Sequence, residues 1–186
     1  MIHYFLNAHQ FLPYDHKRDI FSINYDSLYE VGKRVLLFDV DNTIIPYDES
    51  LPDQRVKALF DMIKDKGFFV VLISNNNASR IAPFAKALDL PYVAMAKKPL
   101  KRGFKRALQT IEIPYDLREV LLVGDQLMTD VYGASRLGVS TILVTPIKRK
   151  SEKWYTKINR RIETKMLEKI KREYPSQYES LRLFER

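Results

Sequence analysis

Cysteine is absent from all 186 residues, which excludes disulfides and thiolate metal sites and fits a cytosolic protein. Long apolar runs are absent as well. The longest, Phe68-Phe69-Val70-Val71-Leu72-Ile73, falls far short of the roughly 18 residues a membrane-spanning helix needs, so no segment is expected to cross a bilayer. The amino terminus interrupts its apolar residues with His3, Asn7, His9 and Gln10 and lacks the basic start and unbroken hydrophobic stretch of a secretory signal, so no export is expected. Internal repeats and low-complexity segments are missing too. What remains is an ordinary globular composition, 46% hydrophobic and 29% charged, in a length most simply read as one domain with appendages.

The net charge of +8 is unevenly placed. Residues 148–186 hold 13 Lys and Arg against 6 Asp and Glu, which leaves the rest of the chain nearly neutral. Such a tail suits a phosphate-rich partner, either an anionic membrane or nucleic acid, and reads equally well as a solvated helix face.

Short apolar stretches at 35–39, 68–73, 92–95, 120–123 and 141–144 read as strands, and segments of helical period lie between them. Val56, Leu59, Phe60 and Ile63 fall at i, i+3, i+4, i+7, with Gly67 placed to end that helix. Ile81, Phe84, Ala85 and Leu88 repeat the spacing, Pro83 being tolerable in the first turns, and Phe104, Ala107, Leu108 and Ile111 mark a further helix. A short helix near 129–137 ends at Gly138. Strands that are continuously apolar and alternate with helices imply a parallel sheet covered on both faces, a three-layer doubly wound α/β fold. The domain organisation expected is an irregular aromatic extension packed on the core over 1–33, the core over 34–147, and a basic amphipathic helical tail over 148–186. In that tail Trp154, Ile158, Ile162, Met166 and Ile170 recur every fourth residue among Lys and Arg, and Pro175 bounds the helix. The stripe suits an anionic membrane surface, and it suits equally the core or a second subunit of a homodimer.

The chemistry gathers at strand ends. Asp39-Val40-Asp41-Asn42-Thr43 closes the first core strand, and carboxylates at i and i+2 point to one face at the carboxyl edge, where open α/β sheets place their ligands. One carboxylate there can attack phosphorus and form an aspartyl phosphate, while its neighbour protonates the leaving oxygen and then activates water. Ser74-Asn75, Lys97-Lys98-Pro99 and Gly124-Asp125 through Asp130 follow three later strands and come to the same edge of a parallel sheet. Phosphoryl transfer needs a nucleophile, a divalent cation and donors to the phosphoryl oxygens. Asp39 and Asp125 offer hard oxygen ligands suited to Mg²⁺, while Ser74, Asn75 and Lys98 offer donors and positive charge. Taken singly, Ser74 and Asp130 read as helix caps and Lys98 as a solvated lysine. Taken together, at successive strand ends, they read as a site.

That ordered set resembles the four motifs of the haloacid dehalogenase-like (HAD) phosphohydrolases, D-x-D-x-[TV], [ST], K and an acidic pair, over about residues 35–146. The resemblance implies Asp39 as nucleophile, Asp41 as general acid/base and, through its backbone carbonyl, a metal ligand. It implies Ser74 and Lys98 around the phosphoryl group, Asp125 on Mg²⁺ and Asp130 behind the metal. The last motif reads G-D-Q-L-M-T-D, an acidic spacing of five residues rather than four. D-V-D-N-T-I-I-P, S-N-N, A-x-K-P-L and V-G-D-Q-L-x-T-D-V-x-G-A are similar to the YqeG-like phosphatases of subfamily IIIA. That group looks related to the fungal mitochondrial phosphatidylglycerophosphatases, which implies a lipid phosphate monoester as substrate.

Between Asn42 and Ile73, and again between Asn75 and Lys97, there is room only for a helix and a strand, so no cap domain is expected over the site. An open site admits phosphate borne on something large, whether a lipid, a protein or a nucleic-acid end. The expected activity is therefore Mg²⁺-dependent phosphomonoester hydrolysis in the cytoplasm, with peripheral contact at the inner face of the membrane. Phosphatidylglycerophosphate is the leading substrate. The competing readings are a nucleotide or polynucleotide-end phosphatase and a docking module that has lost catalysis.

Overall fold

The strands Val35–Phe38, Phe69–Ile73 and Val120–Gly124 are buried along nearly their whole length, so each must be paired on both sides and covered on both faces. The computed structural model describes residues 6–148 and 154–185, apart from the side chains of 154–161 and 185. In chain order its regular elements are β1 (Asp15–Lys17), α1 (Tyr25–Glu30), β2 (Val35–Phe38), α2 (Gln54–Asp65), β3 (Phe69–Ile73), α3 (Ala78–Leu88), β4 (Tyr92–Val93), α4 (Lys101–Gln109), β5 (Val120–Gly124), α5 (Tyr132–Ser135), β6 (Ser140–Val144), α6 (Trp154–Glu173) and α7 (Pro175–Ser180). The strands form one sheet in the order β1-β6-β5-β2-β3-β4, and every pairing is parallel. This is the doubly wound α/β architecture expected.

Alternation along the strands divides the core. Leu36 and Phe38 face one side, where Val56, Phe60 and Ile63 of α2, Ile81 and Phe84 of α3, and Tyr25 and Leu28 of α1 cover them. Val35, Leu37, Val71 and Ile73 face the other, against Phe104 and Ala107 of α4 and Ala134 of α5. Helix starts are capped as their sequences imply: the Asp53 carboxylate accepts from Val56 N at 2.7 Å, and Asn77 Oδ1 accepts from Arg80 N at 3.1 Å. The segment between β2 and β3 holds a turn and α2, and that between β3 and β4 holds α3. Among the described residues no cap domain stands over the carboxyl edge.

The amino-terminal segment is more regular than its sequence suggests. Asp15–Lys17 adds a parallel edge strand to β6, with Asp15 opposite Ile142 and Lys17 opposite Val144. Asp-His-Lys carries no apolar signal because an edge strand needs main-chain pairing more than side-chain burial, and all three residues are only half-buried. Tyr4 and Phe5 of the expected aromatic extension lie outside the described residues.

At the other end, Met166 and Ile170 of α6 are fully buried against Ala8, Phe11, Leu127 and Leu143. This half of the basic helix's apolar stripe is therefore core, while the side chains of Trp154 and Ile158 lie outside the described residues. α6 ends at Glu173, bounded by Pro175 as expected, and Pro175 itself occupies the first turn of α7, where its missing N–H costs nothing. No helix among the described residues is long and apolar enough to cross a membrane.

One close approach sets the loop that matters most. A Cβ at Gly103, in the first turns of α4, would lie 2.1 Å from the Ala96 carbonyl oxygen, so only glycine lets α4 seat against the loop that carries Lys98. Gly103→Ala is expected to lower the free energy of unfolding by about 1–3 kcal/mol, the usual cost of an overpacked contact. Urea denaturation at a wild-type midpoint would show that the loop yields instead.

Candidate active site

Each core strand of the parallel sheet ends in a polar group on the same edge. After β2, Asp39 N continues the ladder to Val123 O at 2.9 Å, and the chain then turns sharply through Asn42, whose φ of 65° lies in the left-handed region that Asn tolerates better than most residues. That turn sends Thr43 back over the strand end, where its hydroxyl donates to Asp39 Oδ2 at 2.9 Å. Ser74 follows β3, the Lys98 loop follows β4, and Gly124-Asp125 closes β5.

Lys98 is the centre of the arrangement. Its Nζ donates to Asp39 Oδ1 at 2.5 Å, to Asp130 Oδ1 at 2.6 Å and to the Ile73 carbonyl at 3.4 Å, giving each ammonium proton an acceptor. Burial works against the charge on this lysine, but the carboxylates of Asp130 and Asp39 outweigh it and hold the amine protonated more firmly than an ordinary lysine. Asp39 is pushed towards its neutral form. Burial raises its carboxyl well above the usual range, Lys98 opposes that shift, and Asp130 and Asp125 reinforce it.

Asp130 reaches the centre from a single π-helical turn, Leu127–Val131, and its Oδ2 accepts from Gln126 N at 3.0 Å. A Cβ at Gly124 would come within 2.5 Å of Asp130 Cγ, so the glycine of the G-D motif makes room for this carboxylate. Oxygen atoms of Asp39, Asp125 and Asp130 all lie within 4.8 Å of one another. Three buried carboxylates in such proximity form a hard, anionic donor set that fits Mg²⁺ and suits thiophilic metals poorly. Asp130, expected behind the metal, stands within the trio itself.

The remaining residues form a second group. Asp41 is buried, and its Oδ1 accepts from Arg80 Nε at 3.1 Å and Nη2 at 3.0 Å. Its Oδ2 accepts from Asn76 Nδ2 at 2.7 Å and from Ser74 Oγ at 3.2 Å. Asn75, expected beside the phosphoryl group, has an amide that accepts from Lys98 N at 2.6 Å and donates to Lys98 O at 3.2 Å, clasping the backbone of the central lysine. Arg80, Asn76 and the hydroxyl of Thr43 were missed as contributors. Arg80 had one legible signal: it lies three residues after the cap Asn77, in the first turn of a helix that starts at the site edge.

A HAD-hydrolase-like family model matches residues 95–159. The probable phosphatase YqeG of Bacillus subtilis (strain 168) is 34% identical over 169 residues, 91% of this chain and 96% of that protein. The chloroplastic phosphatidylglycerophosphate phosphatase 1 of Chlamydomonas reinhardtii is 27% identical over 161 residues, 82% of this chain but 59% of that protein. A solved hydrolase of the haloacid dehalogenase-like family from Brucella suis 1330 superposes with a TM-score of 0.50 at 11% identity, over 67% of this chain and 93% of that one, and speaks for the fold alone.

Replacing Lys98 by Met would leave Asp39 and Asp130 crowded without their cation. We expect Lys98→Met to lose about 3–5 kcal/mol of folding free energy, the range for breaking a buried pair by removing one partner. Chemical denaturation checks this, and an unshifted midpoint would mean that the ammonium does not compensate these carboxylates.

Proposed function

The chain belongs to the haloacid dehalogenase-like hydrolases, among their YqeG-like phosphatases, and from that premise we propose a Mg²⁺-dependent phosphomonoesterase that works through an aspartyl phosphate and takes phosphatidylglycerophosphate as substrate. The observation that carries the reaction is the setting of Asp39: one oxygen is held by Lys98 and the other by Thr43, within a carboxylate trio and two residues from a second clamped aspartate.

In this reading Asp39 attacks phosphorus, the bond from phosphorus to the alkyl oxygen breaks, and Asp41 passes its proton to the departing alkoxide. Asp41, now a carboxylate, takes a proton from water as that water attacks phosphorus, the bond to Asp39 breaks, and phosphate leaves. Lys98 supports both halves by holding Asp39 in place and by offering positive charge to the phosphoryl oxygens. Asp39, Asp125 and Asp130 would hold Mg²⁺, which when bound supplies charge neutralisation for the phosphoryl group.

Two features support a lipid phosphate. A site without a cap admits a phosphate presented at a bilayer surface, and a relative similar over most of this chain is named for phosphatidylglycerophosphate hydrolysis. The basic charge of residues 148–186 supports peripheral contact with anionic membrane, which brings such a site to its head group.

With Mg²⁺ present, detergent-dispersed phosphatidylglycerophosphate is expected to be hydrolysed faster than nucleotides or 5′-phosphorylated oligonucleotides, and the reverse order would move the substrate to nucleic acid. Asp39→Asn is expected to abolish hydrolysis of p-nitrophenyl phosphate, and undiminished turnover would remove Asp39 as nucleophile. Co-sedimentation with anionic but not neutral liposomes is the expected membrane behaviour; equal, negligible binding to both would dispose of it.

A further inference from the structure

Asp41 is held from four directions, and the donors are not equivalent. Both nitrogens of the Arg80 fork converge on one oxygen, Oδ1, whereas among the described residues Oδ2 meets only the neutral groups of Asn76 and Ser74. The lever is itself fixed at both ends. Arg80 N is bonded to the cap Asn77, and Arg80 Nη2 donates to Pro46 O at 3.2 Å, tying the guanidinium to the loop that runs on from Asp41.

Stability explains this poorly. The Arg80 side chain is 17% exposed and that of Asp41 4% exposed, and a buried pair of this kind adds little net stability over an apolar replacement of the same shape. A guanidinium keeps its charge throughout the working range of an enzyme, and its planar fork holds a carboxylate in one orientation.

We infer that Arg80 is a positioning residue for the leaving-group step: it anchors Oδ1 of Asp41 and leaves Oδ2, which meets neutral donors alone among the described residues, to deliver the proton to the departing alkoxide. This rests on the reading of Asp41 as general acid. No group joins the covalent chemistry through Arg80. The ester loses its alkyl oxygen as an alcohol carrying the proton of Asp41, and the phosphoryl group passes to Asp39.

The test compares two esters that present the same phosphoryl group. A p-nitrophenolate departs with little need of a proton, whereas the alkoxide of hexyl phosphate requires one, and kcat/KM reports the steps up to and including that departure. Arg80→Ala is expected to lower kcat/KM for hexyl phosphate by about 10- to 100-fold, part of the 10²–10⁴ that a placed general acid contributes, and to lower it severalfold less for p-nitrophenyl phosphate. Asp41→Asn is expected to show the same selectivity more strongly, and the double variant no loss beyond Asp41→Asn. Arg80→Lys keeps the charge and the reach without the fork. It is expected to show a smaller, equally selective loss, and it carries the test should Arg80→Ala fail to fold.

Equal losses on both esters would overturn the inference and make Arg80 a phosphate-binding or merely structural residue. Selectivity in Asp41→Asn without any in the Arg80 variants would sink the inference alone. No selectivity in Asp41→Asn would remove the acid role of Asp41, and the inference with it.

Discussion

An ammonium taken out of water must find an acceptor for each of its protons, and the strand ends of this sheet are arranged around that requirement at Lys98. Asp39 comes from the end of β2, just past Phe38, the Ile73 carbonyl from β3 and Asp130 from the turn after β5, so one buried cation joins three parts of the chain that are far apart in sequence. The requirement is mutual. Without Lys98 the trio Asp39, Asp125 and Asp130 would be like charges in a buried space, a costly state unless a metal ion or bound protons relieve it. Neighbouring residues serve this centre: Asn75 clasps the Lys98 backbone, and Gly103 lets α4 close against Ala96, two residues before Lys98.

The site divides into two electrostatic compartments that share one turn. Asp39 lies with Lys98 and the other members of the trio, while Asp41 turns to Arg80, Asn76 and Ser74. Residues at i and i+2 of an extended segment start out on the same face, and the left-handed turn at Asn42 together with the donors from α3 lets each carboxylate keep its own partners. Two chemically identical groups thereby acquire different surroundings, which is what division of labour between a nucleophile and an acid/base requires.

Much of this was legible in the chain. The continuous apolar runs at Val35–Phe38 and Val120–Gly124 announced buried parallel strands, and the polar residues immediately after them marked the functional edge, because side-chain period and strand polarity are local properties. Asp15–Lys17 was not legible, since its place in the sheet depends on main-chain pairing with β6, which leaves no pattern in its side chains. The clasp of Asn75 on Lys98 was hidden for a related reason. It depends on the path of the Lys98 loop, which brings that backbone to the end of β3. Arg80 was hidden because a basic residue in the first turn of a helix looks like any solvated arginine until a buried carboxylate is found in front of it.

The sequence by itself determined the fold class, the edge on which the chemistry gathers and the aspartates and lysine that gather there, because periodicity, chain direction and residue type are written in consecutive positions. Only the tertiary structure decided which oxygen meets which donor: that Lys98 bridges Asp39 and Asp130, that Asp130 joins the trio, and that Arg80 faces Asp41. Those pairings span tens of residues, and an ion pair depends on distance in space, which the packing of α3, α4 and the π-helical turn on the sheet sets and spacing along the chain does not.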